Sequence, residues 1–122
     1  MKTTALSFLL ALSIISCKKK TIDNDTNLNN LAAMVNYGGD AITNEVVFES
    51  HYKMIVFALK KGQNLKPHSA PMDAPLLMLE GSATIIIGSE KTRLSAGDII
   101  TLPKEIDHGV NSLTDCKFLL LK

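Results

Sequence analysis

Apolar positions are arranged in two different ways along this chain. At the start they form one block: Ala5–Ile15 is apolar except for Ser7 and Ser13. After Ala41 they come instead in short runs separated by turn residues. Val46-Val47-Phe48 and Met54-Ile55-Val56-Phe57-Ala58-Leu59 are the first two runs. Several of their residues are β-branched or aromatic, which suits a strand. Thr84-Ile85-Ile86-Ile87, then Gly88-Ser89, then Lys91–Leu94 predicts a hairpin. Glycine at the first central position suits a type II′ turn. Ile99-Ile100-Thr101-Leu102 and Phe118–Leu121 add two strands. Short strands between turn signals predict an all-β sandwich or barrel. Some runs are apolar on both faces, so the outer face is expected to be covered as well. A second subunit would cover it, and the expected assembly is a homodimer.

Between the two patterns, Thr21–Asn30 is polar, rich in Asn and Asp, and poor in large apolar residues. Such a segment reads as a tether. Leu28, Leu31, Ala32 and Val35 then sit at helical spacing, and Gly38 is placed to stop a short helix. The chain therefore divides into a leader over 1–16, an anchor and tether over 17–38, and a barrel over 39–122.

Composition narrows the partners. The 122 residues carry 13 basic and 12 acidic side chains, a formal net charge of +1. Without Lys2, in the leader, the balance is 12 against 12. A neutral chain gives no electrostatic reason to bind nucleic acid. Trp is absent, and the four Phe and two Tyr leave few platforms for stacking bases or sugars.

The leader has the parts of a secretory signal: Lys2 as the charged start, the apolar run, then small residues. The run is too short for a ~30 Å hydrocarbon core, which needs about 20 residues. Ile14-Ile15-Ser16-Cys17 resembles a lipobox. That resemblance implies cleavage before Cys17, lipidation of its thiol, and anchoring of the protein in a membrane of the bacterial cell envelope. Several acyl chains anchor stably where one is marginal. Lys18-Lys19-Lys20 follows, a solvated spacer or an attraction for anionic headgroups worth about 1 kcal/mol per Lys near the surface. Ser-Cys-Lys-Lys-Lys also resembles leaders of Bacteroidota lipoproteins. Lipidating Cys17 leaves Cys116 without a disulfide partner. In the apolar run Cys116–Leu121 it is expected to be a buried, inert thiol.

Gly62–Gly81 and Gly97–Asn111 resemble the two motifs of small single-domain cupins (type 2, RmlC-like). The first motif runs from Gly through His-x-His and Glu to Gly, and the second from Gly through Pro-x-Gly and His to Asn. Here Gly62, His68 and Gly81 fall at the family's spacing, as do Gly97, Pro103 and His108. Glu105 stands where Gly is usual, and Asn111 comes one position early. The resemblance covers about Tyr52–Leu121. It implies a double-stranded β-helix, a jelly-roll barrel, and the spacing of Leu28, Leu31, Ala32 and Val35 adds a short helical turn packing on its N-terminal side.

Residues two apart in a strand share a face, so the family's His-x-His sends two imidazoles inward. With the Glu and the later His they form a three-His, one-carboxylate set suited to Fe, Mn, Ni, Zn or Cu. This chain keeps half of it. His68 and His108 match ligand positions, whereas Ala70 stands at the second His and Ala74 at the Glu. Asp73 lies one residue early and needs a bulge after Pro71 to turn inward. Pro75 suits an edge or bulge. His68-Ser69-Ala70-Pro71 resembles a subgroup of small cupins with a His-Thr-Ala-Pro type motif.

Three readings follow. In the first, the barrel binds a small molecule in a pocket of His68, Ala70, Met72, Ala74, Leu77 and His108, apolar but for two groups that titrate near neutral pH. An apolar or amphipathic ligand with an acceptor or carboxylate would fit it. In the second, a metal-dependent enzyme of dioxygenase or isomerase type uses His68 and His108, with Asp73, His51 or substrate as third ligand. In the third, a dimeric structural module serves an envelope partner. His51 is expected at the surface, and Glu80, Glu105 and Asp107 as solvated turn residues.

Overall fold

The structure, a computed structural model, describes residues 30–122. The leader over 1–16, Cys17 and the tether up to residue 29 lie outside the described residues. Nine strands make up the rest: β1 (Thr43–Glu49), β2 (Lys53–Leu59), β3 (Asn64–His68), β4 (Ala74–Glu80), β5 (Ser82–Ile87), β6 (Glu90–Ser95), β7 (Ile99–Leu102), β8 (His108–Ser112) and β9 (Cys116–Leu121). They form two antiparallel sheets, ordered β1-β2-β9-β4-β7 and β3-β8-β5-β6. This is the expected all-β jelly roll.

The six expected strands are all present, and the hairpin is the expected one. Ile87 pairs with Glu90 across Gly88-Ser89. Gly88 has φ +59 while Ser89 has none of the positive φ that a type I′ turn would need. Three strands escaped the apolar pattern. β3 contains Pro67, β4 contains Pro75, and β8 is diluted by Gly109 and Asn111.

Strand alternation builds the interior. Leu76 and Met78 of β4, Cys116 and Phe118 of β9, and Ile85 of β5 are at most 1% exposed and pack in one cluster between the sheets. Phe118 stacks on Phe57 of β2 with ring centroids 5.1 Å apart. Burial pushes the Cys116 thiol up to about 11, so it is protonated and inert as expected.

The other face of β2, β9 and β4 is apolar too, through Val56, Ala58, Leu77 and Leu119. The chain's own N-terminal segment covers it. Leu31–Met34 is a single 3-10 turn, capped by the Asn30 side chain accepting from the Ala32 amide at 3.0 Å. The turn ends at Val35 rather than at Gly38. Leu31, Val35 and Tyr37 pack onto the sheet. Lys117, buried on that face, clasps the segment: its Nζ donates to the Ala32 carbonyl, lies 4.9 Å from the Tyr37 ring centroid, and pairs with Glu80 at 3.4 Å. The doubly apolar strands thus have a cover within one chain, supplied by Leu31, Val35 and Tyr37.

Candidate functional site

β3 and β8 bring the two motif histidines together. Leu65 pairs with Val110, but His68 pairs with His108, so β3 holds one extra residue over Lys66-Pro67. A bulge of this kind re-aims the next side chain. Proline suits it, having no ladder donor to lose. Gly109 stands opposite, where an added Cβ would come within 2.9 Å of the Leu65 carbonyl oxygen. The glycine lets the bulge approach. The His68 and His108 rings end with centroids 4.7 Å apart, inclined at 62°.

Each ring is held in the same manner. His68 Nδ1 lies 3.1 Å from the Lys66 carbonyl oxygen, and His108 Nδ1 lies 3.2 Å from that of Ile106. A carbonyl oxygen only accepts, so Nδ1 carries the proton in both. In the neutral rings Nε2 is then the free acceptor. His108 is 5% exposed, and burial lowers its pKa below the usual histidine value. It is neutral at neutral pH. The cavity beside the rings is about 190 Å³ and otherwise apolar for the most part, lined by Phe57, Leu65, Leu76, Leu102, Val110, Phe118 and Leu120, with Gly109 and Lys122.

The other sequence-predicted residues lie elsewhere. β3 ends at His68, and the chain then leaves the sheet. Period-two alternation does not carry on to Ala70 and Met72. Both line a separate, outer hollow, and Met72 is 47% exposed. Ala74 does face inward but packs in the core, 3% exposed, without lining the cavity. Leu77 is on the outer face, because alternation from Ala74 turns Leu76 inward instead. The walls that sequence reasoning missed follow from the same rule: Val110 is two residues after His108, and Leu76 two after Ala74.

Asp73 does not turn toward the histidines. Its Oδ1 accepts from the Lys104 amide at 2.8 Å, and the Glu105 amide donates to the Ala70 carbonyl at 2.7 Å. These two bonds latch the loop after His68 to the loop before His108. The bulge lies before His68, not after Pro71. Glu105, at the family's glycine position, adopts φ +63, the left-handed conformation that glycine takes without strain. Replacing Asp73 with alanine should cost about 1 kcal/mol through the lost latch. It should also broaden the His68 and His108 ring signals in NMR spectra. Unchanged ring signals would show that the latch does not hold the histidines.

His51 lies in the β1–β2 turn, exposed, at the outer hollow. Among the described residues, no three His, Cys, Asp or Glu side chains gather in a way that could hold a metal ion. Among the described residues the cavity therefore offers a metal two imidazoles and no Asp or Glu, a poor fit for the divalent ions that the full set suits.

Comparison with known proteins agrees with the fold. The cupin-domain family profile matches residues 55–122, and the chain belongs to the cupin family. Its structure is similar to that of a conserved protein of unknown function from Streptococcus pyogenes, at 29% identity and TM-score 0.73, covering 80% of this chain and 87% of that one. A Thermus thermophilus protein matches at 26% identity and TM-score 0.71, over 77% and 93% of the two chains. An RmlC-like cupin from Desulfovibrio desulfuricans matches at 28% identity and TM-score 0.70, over 77% and 92%. No curated protein matches the sequence.

Proposed function

We propose that this protein is a lipid-anchored cupin of the bacterial cell envelope that binds a small molecule in its barrel without a resident metal. One observation carries the binding reading. Two histidines with Nδ1 bonded to backbone carbonyls border a mostly apolar cavity that, among the described residues, no Asp or Glu lines. In their neutral form the rings offer Nε2 as acceptor, so the complementary ligand has an apolar body and a hydroxyl-type donor. This reverses the polarity expected from sequence, where an acceptor or carboxylate was the complement. Support for the anchor is the Ile14–Cys17 lipobox pattern and the polar segment behind it. Support for a homodimer is the exposed apolar residues on the two edge strands of one sheet, Val46 and Phe48 on β1 and Ile99 on β7, at 44%, 45% and 67% exposed.

The test pairs alcohols with carboxylates of the same skeleton in a thermal-shift series. Alcohols should stabilise the protein at pH 8, by about 2.7 kcal/mol at a hundred times the dissociation constant. The matched carboxylates should not. The preference should fade in acid. The folded pKa of His108 lies below its unfolded value, so the unfolded chain binds more protons between the two. The stability this group contributes is complete above about 6.5 and is lost as pH falls through the folded pKa. Below it the ring is a cation and donates. The metal-enzyme reading predicts otherwise: a stoichiometric metal ion in the purified protein, lost on His68→Ala or His108→Ala. Finding one would sink the metal-free reading.

A further inference from the structure

The barrel wall is incomplete at the end where the histidines lie. β4 and β9 pair at Leu76 and Leu120. Toward the mouth from that pair the two strands part. Lys122 stays beside β2, exchanging two backbone bonds with Lys53 at 2.6 and 2.9 Å. Pro75 stays beside β7, opposite Thr101. Proline has no N–H to offer across the gap, so a regular ladder cannot close there.

The outer hollow, about 680 Å³, lies at this gap. Tyr52, Pro71, Met72, Pro75 and Leu121 give it an apolar lining. Tyr52 and Met72 are each 47% exposed. Large apolar side chains exposed together in a concavity mark a binding surface. Lys122 lines both this hollow and the two-histidine cavity. Lys122 is exposed, and a lysine stem can lie along an apolar surface while its charge stays in water.

We infer that the hollow and the cavity are two parts of one binding cleft, joined through the gap between Pro75 and Lys122. Its ligand is an elongated amphipathic molecule. A hydroxyl head meets His68 and His108, and an apolar tail crosses the Lys122 stem to lie against Tyr52 and Met72. This rests on the reading of the cavity as a donor-binding pocket, and adds the length of the ligand and the direction of its tail.

Calorimetric titration of the full chain with 1-butanol and 1-decanol tests it. Each methylene taken out of water tightens binding about fourfold, so 1-decanol should bind at least about fiftyfold tighter than 1-butanol. Combining Tyr52→Ala with Met72→Ala should weaken 1-decanol by about tenfold or more and leave 1-butanol within about twofold. Both side chains are half exposed, so this variant should melt within a few degrees of the parent, which checks its fold. An unchanged 1-decanol affinity in the double variant overturns the cleft, as does a parent chain that binds no 1-decanol. His68→Ala and His108→Ala separate the two ideas. If they weaken both alcohols while the double variant changes nothing, the pocket stands and the cleft falls. If they leave both alcohols unaffected, the donor pocket falls and the cleft with it.

Discussion

Phe118→Ala should cost about 3–5 kcal/mol of folding stability, the usual range for a large aromatic deleted from a core. Phe118 is 1% exposed, stacks on Phe57 and sits in the central cluster. Its strand runs between β2 and β4, so neither neighbour can collapse into the space without breaking its own ladder. At roughly 4–8 °C per kcal/mol for a domain of this size, the melting temperature should fall by on the order of 20 °C. The same ring lines the two-histidine cavity. The variant should therefore show an enlarged pocket as well as a weaker core, and a small apolar molecule added in excess should restore part of the loss. Phe118→Leu is the control. It keeps most of the volume and should lose about a third as much. A loss below about 1 kcal/mol in Phe118→Ala would mean that the sheets close over the gap, contrary to this account.

Gly81→Ala is expected to come close behind, at about 3 kcal/mol, from backbone strain and overpacking together. Gly81 joins β4 to β5 at φ +72. An added Cβ there would fall on the Asp115 carbonyl oxygen and close to the Cys116 Cα. Backbone cannot swing away as a side chain would. Gly97 is the informative comparison. It also has positive φ, at +93, but nothing stands within 4 Å of its Cβ position. Gly97→Ala should therefore cost only the conformational part, about 1 kcal/mol. Denaturant melts of the two variants separate steric from torsional cost. Equal losses would show that the Asp115 carbonyl yields.

The sequence revealed the strands whose residues satisfy a local rule. Ile99–Leu102 was found residue for residue, and Gly88-Ser89 announced its turn by chemistry that only glycine meets. β3 and β8 were hidden because what they do is non-local. Pro67 and Gly109 disfavour strand when each is read alone, yet together they make the bulge that sets His68 opposite His108. The cover over the outer face was legible only in part: the spacing of Leu31, Ala32 and Val35 predicts the turn, but not the face that it covers. Leu31, Val35 and Tyr37 meet Leu77 and Leu119 only after the barrel has closed. In the site, the cupin motif spacing found the two histidines. Alternation failed from Ala70 onward because a period of two holds only while the strand lasts. Asp73 looked like a displaced ligand, but its carboxylate has a nearer use on the Lys104 amide.

That use has a consequence for the rate and energetics of binding. The latch joins the two histidine loops through Asp73 to Lys104 and Ala70 to Glu105. Both imidazoles are fixed in tautomer by their own backbone carbonyls. A cleft held in this way is preorganised before any molecule arrives. Little conformational entropy remains to be lost when it fills, so more of each contact appears as affinity. Association should then follow one exponential phase set by encounter, with no slower rearrangement behind it.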